Sequence, residues 1–550
     1  MDVYRRRPWL SLYPSTVPPE LELAWPDALS LFRAAVERAP DAPAVHYFDG
    51  STTYRELDAL SDALAAALIA RGVARGDRVA LFLQNVPAFP LAMLAAWKLG
   101  AAVVPINPMN REREVALLLA DSTPKALICH DSLHRDVVAR LQRTDAPPPV
   151  TLVVSPLEGQ TRNEPRLFAG VERIACEGAE RLESVLARHA GERPPHLVPA
   201  ADDLAFLVYT SGTTGLPKGA MNTHRNVSYN AQAYRDWIGL EDGVGVLALA
   251  PLFHITGLVG HILAAMITAS PLTLAYRFEP LVMLEAAAER SPGFTVAAIT
   301  ALNALMSHPE ARRDHLASLK ALYSGGAPIP PAVVEAFEAK FGLYIHNIYG
   351  LTETNSPTHA VPFGVRAPVD PVSGALSIGV PIPGARVWIA RDDGAPAAPG
   401  EAGEIVSQGP MIVPGYWNKP AETAEAMRPD GFRTGDVGFM DEDGWFYLVD
   451  RKKDMINAAG YKVWPREVED VLYTHPAVRE AAVVGVPDAY RGETVKAVVS
   501  LRPGVSVTPQ ALIEYCKARM AAYKYPRLIE IAAELPKTVT GKILRRELRG

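Results

Sequence analysis

The sequence predicts an α/β protein: a large N-terminal domain of helix-covered parallel sheets with a β-rich subdomain, then a small α+β C-terminal domain. Three observations predict it. Short apolar runs alternate with helical stretches through the first 350 residues, and a helix between successive strands implies parallel pairing. From Gly374 to Val449 short β runs alternate instead with Gly/Pro turns, which implies antiparallel pairing. Residues 451–550 return to a mixture of helices and strands.

Taken in order, Arg78–Leu83 reads as a strand, Ala88–Leu99 as a helix and Ala102–Ile106 as a strand. Glu112–Ala120 is helical and Ala126–Cys129 extended. The alternation resumes with a strand at Leu204–Val208, a glycine-rich loop, and a helix through Asn226–Trp237. Further strands are predicted at Val246–Ala250, Leu272–Ala275, Phe294–Ile299, Ala321–Tyr323 and Tyr344–Ile348. The β-rich part contributes Arg386–Ala390, Glu404–Ser407 and Trp445–Val449. The last part contributes helices at Glu467–Tyr473 and Pro509–Met520, with strands at Ala481–Val486 and Ala497–Leu501. The charged run Asp450–Asp454 (DRKKD) connects the two parts, so the domains are read as 1–450 and 451–550.

Composition excludes several classes. A net charge of -6 argues against a nucleic-acid binder driven by bulk charge. The three cysteines, Cys129, Cys176 and Cys516, form no CxxC pair, which argues against a disulfide framework or zinc site and fits a reducing cytoplasm. Residues 243–276 carry no Asp, Glu, Lys or Arg, but prolines, glycines and histidines interrupt the run. It reads as buried strand, loop, helix and strand rather than a membrane span. Peripheral membrane contact and homodimerisation are left open.

The strongest chemical signal is Tyr209-Thr210-Ser211-Gly212-Thr213-Thr214-Gly215-Leu216-Pro217-Lys218-Gly219. Glycines let backbone N–H groups approach an anion closely, hydroxyls add donors, and Lys218 adds charge. That is what a triphosphate requires. The string is not a Walker A loop, because Pro217-Lys218-Gly219 stands where Gly-Lys-Ser/Thr is needed.

This string resembles the phosphate loop of the acyl-adenylate-forming superfamily, and the other signatures follow in order. Pro251-Leu252-Phe253-His254-Ile255-Thr256-Gly257 is similar to the next motif, and Tyr349-Gly350-Leu351-Thr352-Glu353-Thr354 to the adenine and magnesium motif. Arg433-Thr434-Gly435-Asp436 resembles the ribose motif. Asp450–Asp454 with Gly460-Tyr461-Lys462-Val463 resembles the hinge, and Pro536–Lys542 the terminal lysine motif. The resemblance covers nearly the whole chain. It implies an enzyme that uses ATP and Mg²⁺ to turn a carboxylic acid into acyl-AMP, then transfers the acyl group to coenzyme A.

The resemblance also implies roles. Thr210, Ser211, Gly212, Thr213, Thr214, Gly215 and Lys218 hold phosphates. Gly325, Gly326 and Ala327 form the adenine and acyl wall. Tyr349 stacks on adenine and Thr352 adjoins it. Asp436, assisted by Arg451, binds ribose. Glu353 ligates magnesium. His254 stands near the acyl carboxylate and thiol channel. Lys542 bridges carboxylate and α-phosphate, Lys453 is the pivot, and Gly460 borders the pantetheine channel.

Each residue taken alone has a plainer reading: Glu353 or Asp436 as cap or turn residues, Lys542 as a solvated charge, His254 as a satisfied buried histidine, Tyr349 as core packing. The ordered series of motifs is what favours chemistry. Residues 430–453 and the opening Arg7-Pro8-Trp9-Leu10 resemble bacterial long-chain fatty acid–CoA ligases, and the apolar stretch Gly257–Ile267 is read as lining an acyl tunnel. Ala458-Ala459 before Gly460, Arg433, and Asn355-Ser356 depart from the fatty-acid pattern and leave an aryl or alicyclic acid open. Transfer to a carrier protein is the other alternative; the insertion expected before the hinge in such enzymes is not seen.

Overall fold

The computed structural model describes residues 2–141, 149–210, 217–451, 454–458, 461–488, 492–538 and 543–549. Within these, two parallel-rich sheets form the body of the large part. One runs in the spatial order Glu180–Arg181, Val150–Val154, Ala126–His130, Arg78–Phe82, Ala102–Pro105, Leu204–Thr210, Lys218–Thr223. Its pairings are parallel except the last, which is an antiparallel hairpin.

The second sheet is parallel through its middle, where His346–Tyr349, Ala321–Gly325, Phe294–Ala298, Val246–Leu247, Leu272–Leu274 and Pro43–Tyr47 lie side by side. Antiparallel strands close both its edges. The β-rich expectation holds: Arg386–Ala390, Gly403–Gln408, Met427–Arg428, Gly431–Met440 and Phe446–Arg451 pair antiparallel.

The sequence-based boundaries agree with the structure to within a few residues for most of these elements, as expected for frayed ends. Two differences matter. The strand expected at Val246–Ala250 is only Val246–Leu247. The glycine-rich loop does not lead into a helix. It leads into the strand Lys218–Thr223, and the helix His224–Ile238 begins only after it. Gly219, Ala220 and Asn222 have weak strand preference, and the segment is extended because Leu204–Thr210 supplies a pairing partner.

The helix His224–Ile238 starts at a reciprocal cap. Asn226 N–H donates to Thr223 Oγ1 (3.2 Å), and Thr223 N–H donates to Asn226 Oδ1 (3.1 Å). It ends at Gly239 in the left-handed conformation. The uncharged stretch folds as expected. Strand Val246–Leu247 leads to helical turns at Ile255–Gly257, Leu258–Leu263 and Ala264–Ile267, then strand Leu272–Leu274. Among the described residues, no helix is long and apolar enough to cross a membrane.

The hydrophobic core of the large part runs from Tyr4 to Tyr447 as one cluster, with a second cluster on the far face of the first sheet. Residues from Ile456 to Tyr525 form a core of their own. Helix Pro465–Tyr473 packs there on the antiparallel strands Val478–Asp488 and Gly492–Leu501.

One ion cluster sits deep in the helical layer. Lys98 Nζ, 3% exposed, lies 2.6 Å from both Asp58 and Asp62 carboxylates. Lys98→Ala leaves two carboxylates facing each other in a partly dry site and is expected to cost about 3 kcal/mol. A lowered urea midpoint would register this; an unchanged midpoint would show that solvent compensates the carboxylates.

Candidate active site

Three strands bring their carboxyl ends to the site: Leu204–Thr210 ends at Thr210, Ala321–Gly325 at Gly325, and His346–Tyr349 at Tyr349. Ligands of open α/β sheets lie beyond such ends. Thr210 pairs in register with Lys218, and the Thr210 hydroxyl donates to the Lys218 carbonyl (3.4 Å). The two arms of the hairpin are therefore held together. Ser211, Gly212, Thr213, Thr214 and Gly215, which connect them, lie outside the described residues, as do Lys453, Gly460 and Lys542. Arg451 is described by its backbone, which faces Asp436 in the antiparallel register.

Lys218 does not stand alone at the loop mouth. Its ammonium lies 5.0 Å from the centroid of the Tyr416 ring. The Tyr416 hydroxyl in turn donates to Glu353 Oε1 at 2.7 Å. Tyr416 is 6% and Glu353 8% exposed. Burial and the adjacent carboxylate push the Tyr416 hydroxyl far above its ordinary pKa, so it stays protonated and remains the donor.

Glu353 sits in the one-turn 3₁₀ helix Thr352–Thr354, and side-chain amides hold that turn. Asn222 Nδ2 donates to the Thr352 carbonyl (3.0 Å) and to Asn355 Oδ1 (2.8 Å). Asn230 Nδ2 lies within 3.1 Å of the carbonyls of Thr354, Asn355 and Pro357. One turn earlier on the same helix, Asn226 Nδ2 donates to the carbonyls of Pro410 (2.7 Å) and Ile412 (3.1 Å). Val413 N–H then donates to the Glu353 carbonyl (2.9 Å). The helix thus grips both the Glu353 turn and the looped segment leading to Tyr416. Asn355 adopts φ 54, a left-handed conformation that asparagine tolerates.

A second pair forms the other half of the site. The Tyr349 hydroxyl donates to Asp436 Oδ2 at 2.8 Å, and both residues are buried. The Tyr349 ring meets His359 edge-on, with centroids 5.4 Å apart. This bond ties the parallel sheet to the antiparallel one. Gly325 approaches the neighbouring strand so closely that a Cβ there would lie 2.4 Å from the Ile348 carbonyl oxygen. Gly326, with φ +82, is open, and Ala327 is half-buried. His254 caps the helical turn that follows it: Thr256 N–H donates to its Nδ1 (3.3 Å).

The structure therefore joins Lys218 to Glu353 through Tyr416, and Tyr349 to Asp436. Sequence reasoning missed Tyr416 and the three asparagines. Asn226 and Asn230 have the i, i+4 spacing of one helix face, which was a usable signal. Gly415-Tyr416-Trp417 carries no spacing that points to Glu353.

Residues 32–417 match the AMP-binding enzyme family, and residues 467–542 match the AMP-binding enzyme C-terminal domain. The chain is 36% identical over 557 residues to a long-chain-fatty-acid–CoA ligase of Bacillus subtilis, covering 99% of this chain and 98% of the relative. It is 36% identical over 511 residues to a feruloyl-CoA synthase of an Amycolatopsis species, covering 93% and 96%. Among solved structures it resembles an anthranilate CoA ligase in complex with anthranoyl-AMP, with a TM-score of 0.85, 26% identity, and 96% and 97% of the two chains covered. With relatives matched end to end and the family pattern spanning most of its length, the chain belongs to the AMP-binding enzyme family.

Proposed function

We propose that this enzyme is an AMP-forming acid–CoA ligase whose acid is a medium- to long-chain fatty acid. The observation that carries the reading is the Lys218–Tyr416–Glu353 cluster at the mouth of the hairpin loop. It would set a cation and a carboxylate where a triphosphate and its metal ion need them. In the first half-reaction an acid carboxylate oxygen attacks the α-phosphorus of ATP, and the bond to pyrophosphate breaks. In the second, the CoA sulfur attacks the acyl carbonyl, AMP leaves with the bonding pair, and the thiol proton passes to solvent.

The first step brings two anions together, so oriented donors and cations at the phosphates are the main requirement. Thr210, Ser211, Gly212, Thr213, Thr214, Gly215 and Lys218 would hold the β- and γ-phosphates. Asp436, kept in place by the Tyr349 hydroxyl, would accept from the ribose hydroxyls with Arg451 beside it. Gly325, Gly326, Ala327 and Thr352 would border adenine and the acyl group. Lys542 would bridge the two reacting anions. The donor set suits Mg²⁺, a hard cation that takes one protein carboxylate, here Glu353, and completes its shell with phosphate oxygens and water. Bound there, it would neutralise charge on the leaving pyrophosphate.

The chain would work as two domains, 1–450 and 451–550, pivoting at Lys453. The separate core after Ile456 supports this division. Gly460 would then border the thiol channel. Gly460→Leu is expected to slow thioester formation about a hundredfold while leaving adenylation unchanged, because a side chain would misplace the incoming thiol. Equal loss in both half-reactions would overturn the pivot. A reducing cytoplasm is the proposed compartment; Cys129 and Cys516 are buried free thiols and Cys176 is partly buried.

Relatives named for long-chain fatty acids support that substrate class. An aryl acid is the second reading, favoured by the feruloyl-CoA and anthranilate relatives and by the departures at Arg433, Asn355-Ser356 and Ala458-Ala459. Pyrophosphate exchange into ATP, run over acids from acetate through palmitate to ferulate with and without CoA, decides between them. A maximum at long chains with acyl-CoA formed supports the first reading. A maximum at ferulate replaces it with the second, and exchange without CoA acylation moves the acceptor to a carrier protein.

A further inference from the structure

Tyr416 belongs to a small apolar cluster with Ala220 and Val413, against which Ala426 and Met427 pack. This cluster lies apart from the main core, directly under the phosphate hairpin. The backbone around Tyr416 is fixed from both sides: Tyr416 bridges Ala220, Met221 N–H donates to the Gly415 carbonyl (3.0 Å), and Trp417 N–H donates to the Gly219 carbonyl (2.8 Å). Thr423 Oγ1 accepts from Tyr416 N–H at 2.9 Å. A phenylalanine would fill the same space. The hydroxyl is therefore the informative atom. A buried hydroxyl beside a carboxylate is costly unless the two are bonded, and here they are, at 2.7 Å. The ring face has its own occupant, the Lys218 ammonium.

We propose that Tyr416 is a positioning residue that sets both charged groups of the nucleotide site: its hydroxyl orients the Glu353 carboxylate toward a divalent cation, and its ring holds Lys218 ready for phosphate. The proposal rests on the ATP-dependent reading above. It separates two functions of one side chain. Tyr416→Phe removes the hydroxyl and keeps the ring, whereas Tyr416→Leu removes both.

The test measures binding without turnover. Mn²⁺, as the probe cation, is titrated into the full-length enzyme with ATP and no acid, and followed by electron paramagnetic resonance. ATP binding without metal is measured separately in EDTA. Y416F is expected to raise the Mn²⁺ dissociation constant roughly tenfold, the usual effect of losing an outer-shell hydrogen bond to a metal ligand, with metal-free ATP binding unchanged. Y416L is expected to lose the same Mn²⁺ affinity and to weaken metal-free ATP binding a further several-fold. In the pyrophosphate exchange assay Y416F should need more Mg²⁺ for half-maximal rate and approach the wild-type rate at saturating Mg²⁺. Wild-type Mn²⁺ affinity in Y416F overturns the proposal. So does an equal loss of metal and metal-free ATP binding in Y416F, which would mark the tyrosine as packing alone. A wild-type enzyme that binds Mn²⁺ and ATP but exchanges no pyrophosphate overturns the adenylation reading, while the Mn²⁺ comparison still decides the role of Tyr416.

Discussion

Replacing Lys542 by alanine is expected to slow acyl-adenylate formation about a thousandfold, the scale on which loss of one preorganised charge-stabilising group is felt. Thioester formation from pre-made acyl-AMP should continue at the wild-type rate. The reason is electrostatic. A carboxylate approaching the α-phosphate adds negative charge to negative charge, and a cation bridging both anions offsets that repulsion only in the adenylation step. The chain on either side of this segment is anchored. Lys537 and Ile543 form a bridge, and Leu544 N–H donates to the Pro536 carbonyl (2.8 Å). Lys537 Nζ pairs with Glu480 (2.5 Å) and Arg545 with Glu469 (2.9 Å). Steady-state exchange and single-turnover thioesterification, measured on one preparation, check the split. Loss of both half-reactions in K542A would assign the lysine a structural role.

The second large effect is expected from Glu353→Gln. Glutamine keeps the size of the side chain and can still accept from the Tyr416 hydroxyl, so packing around the 3₁₀ turn should survive. What disappears is the negative charge that would make the group a ligand for a hard divalent cation. Adenylation should fall about a hundredfold or more, as loss of a preorganised electrostatic contact does. The melting temperature should stay near the wild-type value. Near-normal activity in E353Q would show that the carboxylate is a structural acceptor for Tyr416 and nothing more. The asparagine frame gives an internal contrast. It fixes the backbone of the turn through carbonyls, so the substitution changes charge without touching the supports.

The parallel strands were legible because their signal is local. Ala321–Gly325, Phe294–Ala298 and Arg78–Phe82 are compact apolar runs bounded by turn residues, and each falls within two residues of its expected limits. The strand Lys218–Thr223 was not legible, because its shape depends on a neighbour and not on its own residues. Two-residue strands such as His359–Ala360 and Val380–Pro381 have no period to detect.

The site divides in the same way. Glu353, Asp436 and Lys218 stand in short motifs whose order along the chain, more than any single residue type, suggests nucleotide chemistry. Their partners lie elsewhere in the chain. The bond from Tyr416 to Glu353 spans 63 residues and that from Tyr349 to Asp436 spans 87. The Tyr349–Asp436 pairing arises only when the antiparallel sheet docks on the parallel one, and the Tyr416–Glu353 pairing only when the segment after Gly403–Gln408 bridges Ala220. The expected adenine role of Tyr349 therefore gains a second one, support of Asp436, that the motif alone did not announce.

The most direct test of the central claim is the fate of an oxygen atom. The acid is supplied with both carboxylate oxygens as ¹⁸O, and the products with ATP and CoA are analysed by mass spectrometry. Attack on the α-phosphorus predicts AMP carrying one labelled oxygen and an acyl-CoA carrying the other. Unlabelled AMP, or ADP with the label in inorganic phosphate, would contradict the acyl-adenylate and with it the roles proposed for Lys542 and Glu353.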